Sequence, residues 1–338
     1  AVVQQAWRFG SPSGPVPGTI TWAGAALRPA SDGALDQAAR RRVIAAADDV
    51  LAGRWNVFGR NFDTADADPD WHRDVRTGIR FDPARYCFDV PFRRPELVGN
   101  VKSLWEPSRL HHVTLLAAAF HCTGDQRYAR HAAAHLRSWW KRNPPLRGIH
   151  WLSGIEIGMR LIAFVWARRL LAGWPEVETL FERNPAFLLQ LQSHERWLAV
   201  LFSRGSSANN HLIAEAAGLF MAATAFRGTP QQERWARLAA GILEQEAVSQ
   251  TFADGLNREL AFGYHGYALG LLILAAIEGE SGGQPMSDDT WRLVTRMADA
   301  LGANLGNDLS PPRQGDGDDA WALMVDAPEG GPRSPLLD

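Results

Sequence analysis

From about residue 107 onward, apolar residues return every three to four positions in one segment after another, and Gly, Asn or Pro closes each segment. Arg109–Cys122 is apolar at helical spacing and stops at Thr123-Gly124. Arg127–Arg142 follows and ends at Asn143-Pro144-Pro145. Ser153 and Glu156 have the spacing of a capping box ahead of IGMRLIAFVWARRLLAG. Asn184-Pro185 places an N-cap and a first-turn Pro before AFLLQLQSHERWLAVLF, and Thr229-Pro230 repeats the signal before QQERWARLAAGILEQEAV. Further helices are expected over about 209–226, 262–279 and 288–304, the last capped by Ser287. Strand signals are nearly absent. The pattern predicts an all-α fold of paired antiparallel helices with short loops. No fixed-period repeat is present, which argues against a solenoid. Periodicity alone leaves bundle and closed ring both open.

Residues 1–95 are less regular. SPSGPVPG, one helical segment DQAARRRVIAAADDVLAG, and the Trp-, Asp- and Asn-rich stretch RWNVFGRNFDTADADPDWHRD follow one another. The expected organisation is an N-terminal arm or cap over 1–95, packed on a helical domain over 96–325, with a tail over 326–338.

Composition excludes several classes. Hydrophobic residues are 46% and charged residues 21%, with a formal net charge of −2. That is enough apolar material for a large core, and it lacks the basic surplus of a nucleic-acid binder. No apolar run reaches the roughly 18 residues of a membrane span. AVVQQAWRFG lacks the basic-then-apolar layout of a secretory signal. Cys87 and Cys122 form no C-x-x-C pair and read as buried thiols, so no cysteine zinc site is expected. The chain holds 14 Trp against 4 Tyr, and a flat indole suits a sugar ring as well as a helix interface. Trp105, Trp139, Trp140 and Trp151 lie beside polar motifs.

Four segments carry candidate chemistry. In SSANNHLIAEAAGLF, residues 206–220, Asn209, Asn210 and His211 stand at a helix start, with Glu215 on the same face as His211. Either Asn also reads as a plain N-cap, and His211 as bonded to a backbone carbonyl. In DGLNRELAFGYHGYALG, residues 254–270, Glu259 precedes a helix bearing Tyr264, His265 and Tyr267, which reads equally as an aromatic packing face. In LWEPSRLHH, residues 104–112, Pro107 and Ser108 are expected to open a helix whose first turn holds Arg109, His111 and His112. Positive charge there opposes the helix dipole, so an ion pair with Glu106 or another acid is expected. QGDGDDAW, residues 314–321, has the composition of a calcium loop without its spacing, and reads as a solvated acidic loop.

Six blocks in order over roughly residues 100–320 resemble the heparinase II/III-type polysaccharide lyases, which share a scaffold with some alginate lyases. The blocks are LWEPSRLHHVTLLAAAF, YARHAAAHLRSWWKRNPP, WLSGIEIGMRLIAFVWA, SSANNHLIAEAAGLF, DGLNRELAFGYHGYALGLLI and GDGDDA. The resemblance implies an all-α, incomplete (α/α) toroid. In the family a β-sheet domain follows, which would begin just after GDGDDA and would supply a further catalytic His and often a metal site. No cofactor is expected in the chain itself.

The implied reaction is β-elimination on an anionic, uronate-containing polysaccharide. The proton at C5 is removed and the C4 glycosidic oxygen is expelled. Oriented donors on the uronate carboxylate stabilise the enolate-like intermediate and are worth about 3–4 kcal/mol. Asn210 and His211 are the implied donors, with Asn209 the neighbouring alternative. Tyr264 is the implied base and acid, provided that positive charge lowers its pKa from about 10. Glu215 is expected to orient His211 or to contact the carboxylate indirectly, and Arg109 and Arg160 to grip carboxylate or sulfate. Glu259, His265, Tyr267, Trp105 and Trp151 complete the expected substrate contacts. Beyond the substrate, the implied partner is the family's β-sheet domain, with no nucleic acid and no membrane span. The polymer chemistry favours secretion or the periplasm. Two other classes remain open: a glycoside hydrolase drawing on Glu215, Asp254 and Glu259, and a non-catalytic polysaccharide-binding domain.

Overall fold

The structure is a computed structural model that describes residues 18–27, 36–307, 309–316 and 320–326. SPSGPVP, residues 317–319 of the acidic loop, and the tail after Asp326 lie outside the described residues. In chain order the elements are β1 (Thr21–Trp22), α1 (Gln37–Leu51), β2 (Trp55–Val57), β3 (Arg60–Phe62), α2 (Pro95–Val98) and α3 (Val101–Ser108). There follow α4 (His111–Thr123), α5 (Gln126–Arg142), α6 (Gly154–Leu170), α7 (Val177–Leu180), α8 (Pro185–Leu201) and α9 (Asn210–Ala225). The chain continues with β4 (Phe226–Arg227), α10 (Pro230–Ser249), α11 (Phe262–Ser281) and α12 (Asp288–Ala303). Short 3-10 turns lie at Cys87–Asp89, Ile149–Trp151 and Gly205–Ser207.

Local capping chemistry sets half of the helix starts among the described residues. The side chains of Asn184, Asn209, Thr229 and Ser287 each accept a backbone N–H from the first turn of α8, α9, α10 and α12. Each such bond contributes about 1 kcal/mol. At Thr229 it is a full capping box with Gln232. One expected capping box and one expected start fail. Ser153 is the N-cap of α6 but its side chain makes no capping bond, and the Glu156 carboxylate, which would return the other bond of the box, is held by Arg109. Pro107 and Ser108 do not open a helix; they end α3, and Arg109 is its C-cap. The chain turns at Leu110, whose φ of 66° is left-handed, before α4 begins at His111. Arg109 therefore sits at the negative end of a helix dipole, where its charge is favourable rather than opposed.

The contacts divide the described residues into two compact units, one holding those within 26–180 together with 323–326, the other those within 18–25 and 181–322. The division falls within the helical run, and the segment from residue 36 to 95 belongs to the first unit.

In the first unit α4 and α6 are the central helices. Residues His111–Phe120 of α4 are all buried, as is every residue of α6 except Trp166. Helices apolar all round belong inside a core. α1 and α5 pack on α4 through Val43, Ala47, Val50, Ala129, Ala132 and Leu136. Each fully buried Val or Leu contributes about 1.5–3 kcal/mol relative to an exposed one. Polar bonds tie the segment 64–72 onto α5. Trp71 Nε1 donates to Ser138 Oγ at 2.8 Å, His131 and His135 meet the carbonyls of Thr64 and Asp66 at 2.6 and 2.9 Å, and Ser138 donates to Asp68 at 2.5 Å.

In the second unit α9 is the centre. Every residue of α9 is buried except His211. α8, α10 and α11 pack around it, and α12 packs on α11. β1 pairs antiparallel with β4, Trp22 opposite Phe226 with their rings 5.0 Å apart.

Candidate catalytic site

In the second unit the site is built on the N-terminus of α9. Asn209 is the N-cap, its side chain accepting His211 N–H at 3.1 Å. Asn210, the first helical residue, is 4% exposed. Its backbone N–H donates to Glu259 Oε1 at 2.8 Å, and its side-chain Nδ2 lies 3.0 and 2.7 Å from Glu259 Oε1 and Oε2. A carboxylate at a helix N-terminus is stabilised by the dipole and by the unpaired N–H groups there. Beside Asn210, His211 is exposed.

The loop that carries Glu259 leads within three residues into α11. Asp254-Gly255 forms the expected turn: Gly255 has φ +94°, and a Cβ there would lie 2.3 Å from the Arg296 carbonyl. Glu259 N–H donates to Asn257 Oδ1 at 2.9 Å. Asn257 N–H donates to His265 Nδ1 at 3.1 Å, and His265 Nε2 meets the Met297 carbonyl at 2.9 Å. Tyr264, in the first turn of α11, is half-buried, and its hydroxyl donates to Asp316 Oδ2 at 3.3 Å. Asp316 is brought there because Gln314 O accepts Phe262 N–H at 3.2 Å and Gly315 lies tight on Ala261.

Several expected substrate contacts are buried, so their roles change. Tyr267 and His265 are 3% and 2% exposed, packing and holding the 257–259 turn rather than facing a ligand. Glu215 is 1% exposed and does not serve as expected: both carboxylate oxygens are taken by Ser203, from N–H and Oγ at 2.7 Å each. Burial pushes its carboxyl up to about 7, the Ser203 bonds opposing that shift.

The first unit holds the other expected residues. Arg109 grips Glu156 with Nε and Nη2 at 2.9 and 2.8 Å and reaches Glu106 at 3.1 Å, so the ion pair expected of it is present and doubled. Arg160 is fully buried, its Nη2 donating to His150 O at 2.6 Å and its guanidinium 4.8 Å above the Trp139 ring. Trp151 is fully buried and donates to Asn143 O at 3.2 Å. Neither Arg160 nor Trp151 presents a face to a ligand. Trp105 is half-buried, with Nε1 donating to Ile149 O at 3.1 Å. Trp139 and Trp140 are buried as well.

Sequence reasoning missed Asp316 as the partner of Tyr264, Asn257 as the support of Glu259, and the buried imidazole pair His112–His135, joined at 3.1 Å. The i, i+4 spacing of His131 and His135 on α5 is the one local signal of that cluster. Among the described residues no group of three His, Cys, Asp or Glu is placed to hold a metal, and no helix is long and apolar enough to cross a membrane. A cavity of about 510 Å³ lined by Arg227, Thr229, Gln232 and Arg237 lies elsewhere in the second unit and includes neither Asn210 nor Tyr264.

The sequence pattern of the Heparinase II/III N-terminus family matches residues 50–288. The chain belongs to this family. Within the heparinase II/III match lie Arg109, Asn210, His211, Glu215, Glu259 and Tyr264, while Asp316 falls after it. A heparin-sulfate lyase of Pedobacter heparinus is 26% identical over 180 residues, 51% of this chain and 26% of that protein. The heparan sulfate lyase HepC from Pedobacter heparinus superposes with a TM-score of 0.55 at 18% identity, covering 91% of this chain and 44% of that one. A heparinase III structure superposes with a TM-score of 0.56 at 17% identity, covering 82% and 40%. The chain thus spans less than half the length of these lyases. At such identities the likeness establishes the fold, which is all-α and of the (α/α) toroid class.

Proposed function

We propose that the chain is the helical domain of a polysaccharide lyase that cleaves a uronate-containing polymer by β-elimination. One observation carries this beyond family membership: Glu259 is bonded to Asn210 at the start of α9, and five residues further along the same loop and helix comes Tyr264. An amide, an exposed imidazole and a phenol are thereby gathered on adjoining segments.

In this reading Asn210 and His211 meet the uronate carboxylate, where charge develops as the C5 proton leaves. Tyr264 acts as the phenolate, its hydroxyl proton having first left along the bond to Asp316; the phenolate oxygen takes the C5 proton, the C5–H electron pair forms the C4–C5 double bond, and the C4–O bond breaks. The leaving oxygen recovers the proton from Tyr264. Asp316 holds the phenol in place. Two of the three carboxylates a hydrolase would draw on are taken up, Glu215 by Ser203 and Glu259 by Asn210.

The test incubates the chain with a panel of uronate polysaccharides and follows the ultraviolet absorbance of an unsaturated uronate. The expected result is absorbance that disappears in Asn210→Ala and Tyr264→Phe. Chain shortening without absorbance would replace the lyase reading by hydrolysis, and binding without shortening would replace it by a binding domain.

A further inference from the structure

Three hydrogen-bond contacts from one residue, Asn210, end on one carboxylate, that of Glu259. Capping α9 requires only the backbone N–H. The two contacts from Nδ2 do something else: they select between the two orientations of the side-chain amide. The oxygen and nitrogen ends of an Asn are nearly the same size, and packing alone distinguishes them poorly. A carboxylate accepts only from the NH2 end, so Glu259 turns Nδ2 toward itself and Oδ1 away.

Glu259 is itself held. Its N–H is fixed by Asn257 Oδ1, and Asn257 N–H is fixed by His265 Nδ1. A ring nitrogen that accepts from an N–H carries no proton, so His265 is the Nε2–H tautomer and donates to the Met297 carbonyl. Asn257 and His265 are each 2% exposed and Met297 is fully buried. A continuous path of short bonds thus runs from α12 through α11 and the 257–259 turn to the first residue of α9.

We infer that Glu259 is the positioning residue of Asn210, setting which atoms of its amide are presented, and does not itself contact substrate. The consequence for turnover rests on the lyase reading; the orientation of the amide does not. Nδ2 carries two hydrogens, and a carboxylate that holds one of them fixes the direction of the other; a donor aimed in advance at developing charge is worth more than one that must reorganise, so loss of the carboxylate acts on kcat rather than on KM.

The variants are Glu259→Ala, Glu259→Gln, Asn210→Ala and the Glu259→Ala/Asn210→Ala double. The Gln variant retains one oxygen to accept both Asn210 donors and keeps the cap on α9. Two readouts are taken on the full chain. The first is the side-chain 15N–1H pair of Asn210, assigned by its loss in Asn210→Ala. The second is kcat and KM on the uronate polymer that gives absorbance. We expect the resonance pair to be kept in Glu259→Gln and shifted to exposed-amide values in Glu259→Ala. We expect kcat to fall on the order of 10- to 100-fold in Glu259→Ala, with KM within about threefold and substantial rescue by Gln. Adding Glu259→Ala to Asn210→Ala should cost nothing further, because residues acting as one unit are non-additive. A multiplicative loss in the double variant, a rise in KM at constant kcat, or an unmoved resonance pair would each overturn the assignment. If no protein gives absorbance the lyase reading fails, and the resonance pair still decides the positioning role.

Discussion

The guanidinium of Arg109 lies edge-on to the carboxylate of Glu156, Nε to Oε2 at 2.9 Å and Nη2 to Oε1 at 2.8 Å, across 47 residues of sequence. The Glu156 side chain is 2% exposed and that of Arg109 15%. Breaking a buried pair by removing one partner strands the other charge. Arg109→Ala is therefore expected to lower unfolding free energy by about 3 kcal/mol or more. Arg109→Lys should recover only part of this, since an ammonium cannot make the two-bond fork. Urea unfolding decides it, and a Lys variant as stable as the parent would show that charge alone suffices.

The imidazoles of the first unit predict a loss of stability in acid. Burial lowers His135 to about 4 and holds His112 well below its ordinary range, with the neighbouring imidazoles adding to the effect. The unfolded chain takes up these protons near pH 6.5; folded, His135 takes its own only near 4, and His112 is held well below its ordinary range. The stability they contribute is complete above 6.5 and drains away as pH falls through that interval. For His135 alone the upper limit is about 3 kcal/mol. Melts from pH 7 to 4 should slope downward, and His135→Gln should flatten the slope.

The second unit carries the opposite dependence. Burial raises Glu195 to about 8 and Glu215 to about 7, against the bonds from Gln232 and Ser203 that oppose it. These carboxyls bind protons more tightly folded than unfolded, so their contribution is complete below about 4.5 and is lost as pH rises through 7 and 8. For Glu215 the change is at most about 3 kcal/mol. Glu195→Gln and Glu215→Gln should each remove part of the decline measured by chemical unfolding between pH 5 and 8; an unchanged decline in both would refute the assignment.

Gly315 has φ +75°, and a Cβ would stand 2.6 Å from Ala261. Gly315→Ala should push the loop carrying Asp316 off the start of α11 and away from Tyr264. Turnover of a uronate polymer should then fall, with the melting temperature little changed because the loop lies at the edge of the unit. Equal turnover in Gly315→Ala and Asp316→Asn proteins and in the parent would remove Asp316 from the site.

Trp151 and Trp105 separate packing from recognition. Trp151 is fully buried, so Trp151→Ala should cost about 3–5 kcal/mol of stability. Trp105 is half-buried, and Trp105→Ala should weaken retention on immobilised polysaccharide more than it lowers stability. Affinity electrophoresis and thermal melts on the two variants give the comparison.

The helices and most of their caps are legible in the sequence because their causes are local. Asn184, Thr229 and Ser287 cap from within three residues of the groups they satisfy. What was not legible depends on distant partners. Nothing near Ser153 announces that Glu156 is committed to Arg109, and nothing near Pro107 announces a left-handed Leu110. The heparinase II/III blocks drew attention to Asn210, Tyr264 and Glu259, yet the bond between Asn210 and Glu259 spans 49 residues and appears only with tertiary structure. Arg160 and Trp151 have the chemistry of ligand contacts, and only packing places them inside the core.

The burial of α9 on every side but one has a consequence for how such a protein can change. A substitution anywhere along its length from Leu212 onward meets packed neighbours and is answered in folding. Position 211 alone faces outward, immediately beside the amide that Glu259 holds. A lineage or an engineer retuning the exposed chemistry of this helix therefore has one open letter to rewrite, and must find the remaining adjustments in the loops that lead into it.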